Sequence, residues 1–187
     1  MLGMRPYMAE AVIDLAQLAA NIATVRARVG EGIKILFPIK ADAYGHGAVA
    51  VAQAAERAGI DYFGVANIAE AQELRETGIK TPILILASSR IAHIAELVRT
   101  DVDITLSSVE FARALAAEAA RQGRRVRVQV KVDTGMGRNG ALPPEALQIC
   151  RALAQMPQLE CTGIFSHFAC SYSEQPEDQE FTRHQIT

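Results

Sequence analysis

Net charge is nearly absent from this chain. Its 19 lysines and arginines oppose 21 aspartates and glutamates, leaving −2 at neutral pH. That balance gives no reason to expect a nucleic-acid or membrane-surface partner. Long apolar runs are missing too, and nothing is long enough to span a bilayer. The opening MLGMRPYMAE has no apolar core after its arginine, so no secretory signal is expected there. Only three cysteines occur, Cys150, Cys161 and Cys170, without CxxC spacing. They read as free, packing thiols of a reducing compartment, which suits a cytoplasmic protein. No HExxH or similar spacing joins the four histidines to acids, so no metal site is expected. A fixed-period repeat, a low-complexity linker and a GxGxxG turn after the first strand are also lacking.

What remains is a 187-residue chain, half of it hydrophobic, with enough material for one sizeable core. Residues 7–14 read as a short extended segment. Asp14 then caps a helix, with Gln17 closing a capping box, and Gly30 or Gly32 stops it. From there strands and helices alternate. Strands are predicted near 34–40, 61–66, 82–86, 103–106, 126–132 and 159–165. Asn67 with Glu70, Ser107 with Glu110, and Pro143-Pro144 open helices between them. A further helix starts near Pro176. Such alternation means βαβ units and a parallel sheet, either open and doubly wound or most of a (β/α)8 barrel.

The polar residues of interest fall at or just after strand C-terminal ends, where barrel enzymes keep their chemistry. KILFPIKADAYGHG, residues 34–47, delivers Lys40 at the end of an apolar strand, beside a glycine-punctuated loop. Two readings fit Lys40. It is a solvated or carboxylate-paired lysine, or it is a desolvated amine able to attack an aldehyde. Tyr44 could contact a phosphate, and Gly45 and Gly47 would let backbone N–H groups approach an anion. In VRVQVKVD, residues 126–133, the valines share one face while Arg127, Gln129, Lys131 and Asp133 share the other. A polar barrel lumen or a solvated edge strand would give this pattern. Arg138 follows in the same strand-end segment. His167 lies just beyond a later strand in GIFSHFA. His46 reads as a loop residue, and His93 and His184 as surface residues.

KADAYGHG closely resembles the pyridoxal-phosphate signature of alanine racemases. KVDTGMGRNG and GIFSHFA resemble two further blocks of that family, in the same order. Asp42 stands where many relatives have Asn. The resemblance runs over nearly the whole chain and implies an incomplete (β/α)8 TIM-type barrel, about six of eight strand–helix units. The family's C-terminal β domain would be absent, and residues 7–14 would normally pack on it. The implied cofactor is pyridoxal 5'-phosphate, held covalently by Lys40. Tyr44 would contact its phosphate, Arg138 its phenolic oxygen, and His167 its pyridine ring. Lys131 would be carbamylated to orient Arg138.

The implied activity is interconversion of L- and D-alanine, which supplies D-alanine for peptidoglycan, by a cytoplasmic homodimer. A tyrosine from the partner's missing domain would serve as the second acid/base, so this chain is expected to racemise weakly or not at all alone. Two other classes stay open. One is a related pyridoxal-phosphate enzyme, such as a broad-specificity racemase or an amino-acid decarboxylase. The other is a non-catalytic fragment that pairs with a complementary chain.

Overall fold

Asp14 Oδ1 accepts hydrogen bonds from the N–H groups of Ala16 and Gln17, both at 2.9 Å, and so starts the first helix, α1 (Leu15–Val29). The expected reciprocal bond from Gln17 is not made. Its amide turns instead along the helix to Asn21, 2.9 Å away. Gly30 ends the helix at φ 83. These details come from a computed structural model that describes residues 11–187. Residues 7–10 of the predicted extended segment lie outside the described residues.

Strands and helices then alternate, with two helical segments between the first two strands. The strands are β1 (Leu36–Pro38), β2 (Tyr62–Val65), β3 (Ile83–Ile85), β4 (Asp103–Leu106), β5 (Val126–Lys131) and β6 (Leu159–Phe165). Between them run α2 (Lys40–Gly45), α3 (Ala48–Arg57), α4 (Ile68–Glu76), α5 (Ile94–Arg99), α6 (Val109–Arg121) and α7 (Pro143–Leu153), with α8 (Pro176–His184) after β6. A 3-10 turn, Ile91–His93, precedes α5. One cap differs from expectation. Ser108, not Ser107, accepts from Phe111 N–H at the start of α6. Ser107 instead pairs with Ser88 across neighbouring strand ends, 3.0 Å apart.

The strands form one parallel sheet in the order β1-β2-β3-β4-β5-β6. A doubly wound sheet reverses strand order part-way, and this one does not, so the barrel alternative holds. The sheet is also curled. Tyr62 on β2 and Thr162 on β6 both donate to the same oxygen of Asp103, at 3.3 and 2.8 Å. In a flat sheet four strand spacings would hold β2 and β6 roughly 19 Å apart. A register shift beside Val128 and Gln129 gives β6 its bulge, and Thr162 sits at it, aimed at Asp103.

Two chemistries divide the sheet. Phe63, Val65, Ile83, Ile85, Ile104, Leu106, Val128 and Val130 are buried on the outer face, against helix residues such as Ala55, Leu74, Leu97, Leu115 and Ile149. Each large side chain so buried contributes about 1.5–3 kcal/mol. The inner face carries Asp103, Thr105, Arg127, Gln129 and Lys131. Because β5 is paired on both sides, the alternation of VRVQVKVD marks a lumen and not a solvated edge. At the lumen's base, Asp103 is fully buried and accepts from Arg127 Nε at 2.7 Å and Gln129 Nε2 at 3.2 Å as well. The cysteines are free, but Cys161 is exposed on β6 and does not serve the packing role expected of it. No helix among the described residues is long and apolar enough to cross a membrane.

Candidate functional site

The apolar strand does not run straight into Lys40. β1 stops at Pro38, and the backbone then makes a turn of the opposite hand. Ala41, Asp42, Ala43 and Tyr44 have φ of 52, 54, 51 and 55, all in the left-handed region. Four consecutive non-glycine residues there are costly, at about 1–2 kcal/mol each. Neighbouring bonds hold them. Ala41 N–H donates to Glu70 Oε1 at 3.2 Å, and Glu70 Oε2 accepts from Ala66 N–H at 2.7 Å. Asp42 Oδ1 accepts from Ala48 N–H at 2.6 Å, which pins the turn to the start of α3. Either an aspartate or an asparagine could supply that oxygen. His46 Nδ1 lies 2.9 Å from the Ala43 carbonyl, inside the loop. His93 and His184 are exposed.

The turn places Lys40 Nζ 6.0 Å from the Tyr44 ring centroid. Lys40 is half-buried, less enclosed than a strand-end position would suggest, and Tyr44 is exposed. Both open on a cavity of about 670 Å³ at the C-terminal ends of the strands. The five residues singled out in the sequence, Lys40, Tyr44, Lys131, Arg138 and His167, all line it. Leu36, Pro38, Leu84, Leu86 and Phe165 form apolar walls. Ser88, Gln129, Asn139 and Ser166 add neutral polar groups, and no carboxylate is among the lining residues.

β5 brings Lys131 into this space at 6% exposure, with Nζ 4.7 Å from the Phe165 ring centroid. It forms no ion pair among the described residues. Burial first, and the Arg138 charge second, hold its amine below the ordinary lysine range. The loop after β5 is folded by Asp133, whose Oδ1 accepts from Gly135 N–H at 2.9 Å and Gly137 N–H at 3.0 Å. Those bonds, led by Gly137, depress its carboxyl pKa. The loop returns onto the strand at Gly140. A Cβ at that position would lie 2.7 Å from the Asp133 nitrogen, so only glycine fits. Arg138 is exposed at the loop's tip. His167, beyond β6, is held below the ordinary imidazole value by burial, then by the charges of Arg138, Lys131 and Lys40. Four groups that can be cationic thus lie within electrostatic reach, with no acid between them in the cavity wall.

Sequence reasoning overlooked three parts of this arrangement. Ser88 and Asn139 face each other across the cavity rim at 2.6 Å; Ser88 stands in no motif, and Asn139 lies inside KVDTGMGRNG without a role read for it. Glu70 was legible only as a helix-cap partner. Gln185 gave no signal, because its contacts are with residues 16 to 51 positions earlier.

A family model described as alanine racemase, N-terminal domain, matches residues 13–187. The chain belongs to the alanine racemase family. It is 41% identical to an alanine racemase of Treponema denticola over 178 residues, 95% of this chain and 47% of that protein. It is 43% identical to one of Chlorobaculum tepidum over 184 residues, 97% of this chain and 47% of that protein. The structure of alanine racemase from Clostridium difficile 630 superposes with a TM-score of 0.86 at 35% identity, covering 92% of this chain and 45% of the other. The chain therefore spans about half the length of the alanine racemases it matches, and what it matches is their barrel.

Proposed function

We propose that this chain is the cofactor-binding part of a pyridoxal-phosphate-dependent alanine racemase, interconverting L- and D-alanine. The observation that carries the reading is the convergence of Lys40, Lys131, Arg138 and His167 on one carboxylate-free cavity with apolar walls. Such a cavity suits a flat aromatic ligand bearing several negative oxygens, and family membership supplies the identity. Lys40 would hold the cofactor through its amine, Tyr44 would donate to the phosphate, and Arg138 to the phenolic oxygen. His167 would lie against the ring. When bound, the cofactor supplies an electron sink for the carbanion left by loss of the substrate's Cα proton.

Once the substrate's amino group has replaced it on the cofactor, Lys40 Nζ would be free to take or return that proton on one face of Cα. Inversion needs a second acid/base on the opposite face. We assign it to a part of the family's enzymes that this chain does not span, contributed across a homodimer. On this reading the enzyme works in the cytoplasm and feeds D-alanine to peptidoglycan. Residues 7–14 would pack on the family's further domain.

Lys131 has its own part. Its depressed basicity leaves more neutral amine to add carbon dioxide, releasing one proton and forming a carbamate. The carbamate reverses the local charge and can pair with Arg138 through parallel hydrogen bonds. Labelled bicarbonate would give a carbamate carbon resonance that Lys131→Ala removes.

The deciding experiment is a pyridoxal-phosphate titration followed by absorbance, then borohydride reduction and peptide mapping. A saturable band with the label at Lys40 is expected, and Lys40→Ala abolishes it. Label scattered over surface lysines overturns the reading. Racemisation by the 187-residue chain alone should be weak. Turnover close to that of a full-length relative would refute the assignment of the second acid/base.

A further inference from the structure

No residue of α8 itself is buried, yet Gln185, at its C-terminal cap, is only 6% exposed. Its side-chain amide is fully engaged. Oε1 accepts from Ala169 N–H at 3.0 Å, and Nε2 donates to the His167 carbonyl at 3.2 Å and to Thr134 Oγ1 at 3.3 Å. The chain of bonds continues. Thr134 Oγ1 lies 2.7 Å from Ser166 Oγ, which donates to the Val132 carbonyl at 2.9 Å. One amide therefore joins the loop after β5, which carries Arg138, to the loop after β6, which carries His167. Phe181 on α8 adds a packing contact. A Cβ on Gly135 would sit 2.9 Å from its ring, so the helix presses on the Arg138 loop directly.

Those two loops have an electrostatic reason to separate whenever His167 takes up a proton, since its charge and that of Arg138 then oppose each other across the cavity. A carboxylate tie would cancel the charge that the pocket needs. A neutral amide joins the loops without doing so, and the buried amide of Gln185 is itself costly to leave unsatisfied. We propose that Gln185 is a positioning residue of the pocket: its amide fixes the Arg138 and His167 loops together so that both side chains face the bound anion. This rests on the function proposed above only for the identity of that anion.

Gln185→Met keeps the side-chain volume and removes all three bonds. In the full-length protein, the affinity for pyridoxal phosphate should fall about tenfold, the scale of one misaligned charge-assisted hydrogen bond. In the cofactor-free protein, the His167 ring, followed by NMR, should titrate at higher pH than in the wild type as it moves away from the other cations. A folded Gln185→Met protein with both quantities unchanged overturns the proposal. If Gln185→Met does not fold, Thr134→Val breaks the tie at one link. Weakened cofactor binding there supports the proposal, and unchanged binding refutes it. A wild-type protein that forms no adduct at Lys40 counts against the proposed function alone, and the His167 titration then decides the role of Gln185.

Discussion

Replacing Ala41 by glycine should make this protein more stable, the reverse of the usual effect of glycine in a helical segment. Ala41 has φ 52, its side chain is exposed, and its N–H is held by Glu70. The left-handed conformation costs a residue with a Cβ about 1–2 kcal/mol, and costs glycine almost nothing. Glycine returns about 0.4–1 kcal/mol of that through its greater freedom in the unfolded chain. No packing is lost, because the methyl group faces solvent. The net gain is roughly 0.5–1 kcal/mol, or about 1–4 °C in Tm for a chain of this size. Asp42→Ala in the same turn has the opposite sign. It removes the acceptor for Ala48 N–H at 2.6 Å and should cost about 1–2 kcal/mol. Urea denaturation followed by circular dichroism measures both. Ala41→Gly destabilising the protein by as much as Asp42→Ala would refute the idea that the turn is held in left-handed geometry against its residues' preference.

Arg127→Met should destabilise by about 3 kcal/mol or slightly less, because it leaves the fully buried Asp103 without its cation while Arg127 itself is partly solvent-screened. The double variant Arg127→Met with Asp103→Leu should recover only part of that loss, because Tyr62, Gln129 and Thr162 then lose their shared acceptor, and urea midpoints of the three proteins test it. Tyr62→Phe, which removes one donor from Asp103, should cost about 1 kcal/mol by the same assay. For His167 the folded value lies below the unfolded one, so the unfolded chain binds the proton more readily. Its contribution is therefore intact above the ordinary imidazole value of about 6.5 and is lost as pH falls through the folded midpoint. His167→Gln should flatten the decline in stability on the acid side of neutrality, and parallel curves for the two proteins would contradict the shift.

The sequence exposed whatever depends on local period and on residue type at strand ends. VRVQVKVD alternates because one face meets helices and the other a polar lumen, so Lys131 was readable as sharing the polar face with Arg127 and Gln129, and the pairing of β5 on both sides makes that face the lumen. Leu159–Phe165 and Asp103–Leu106 were readable to the residue, since turn residues bound both. The left-handed turn was not readable. Alanine and tyrosine have no preference for positive φ, and KADAYG would pass for an ordinary helical start. What helps to hold the turn is Glu70, a residue of α4 that looks like the partner of a helix cap and is one, since its own N–H donates to the Asn67 cap at 3.1 Å. Its carboxylate meanwhile reaches from the end of β2 to the end of β1. Gln185 behaves likewise: a glutamine near the end of a polar helix has no local mark, and its place is set by three partners on the loops that follow the paired strands β5 and β6. The reactive side chains thus declare themselves by type and spacing. The neutral and acidic groups that aim them are defined by contacts between elements, and those exist only once the chain has folded.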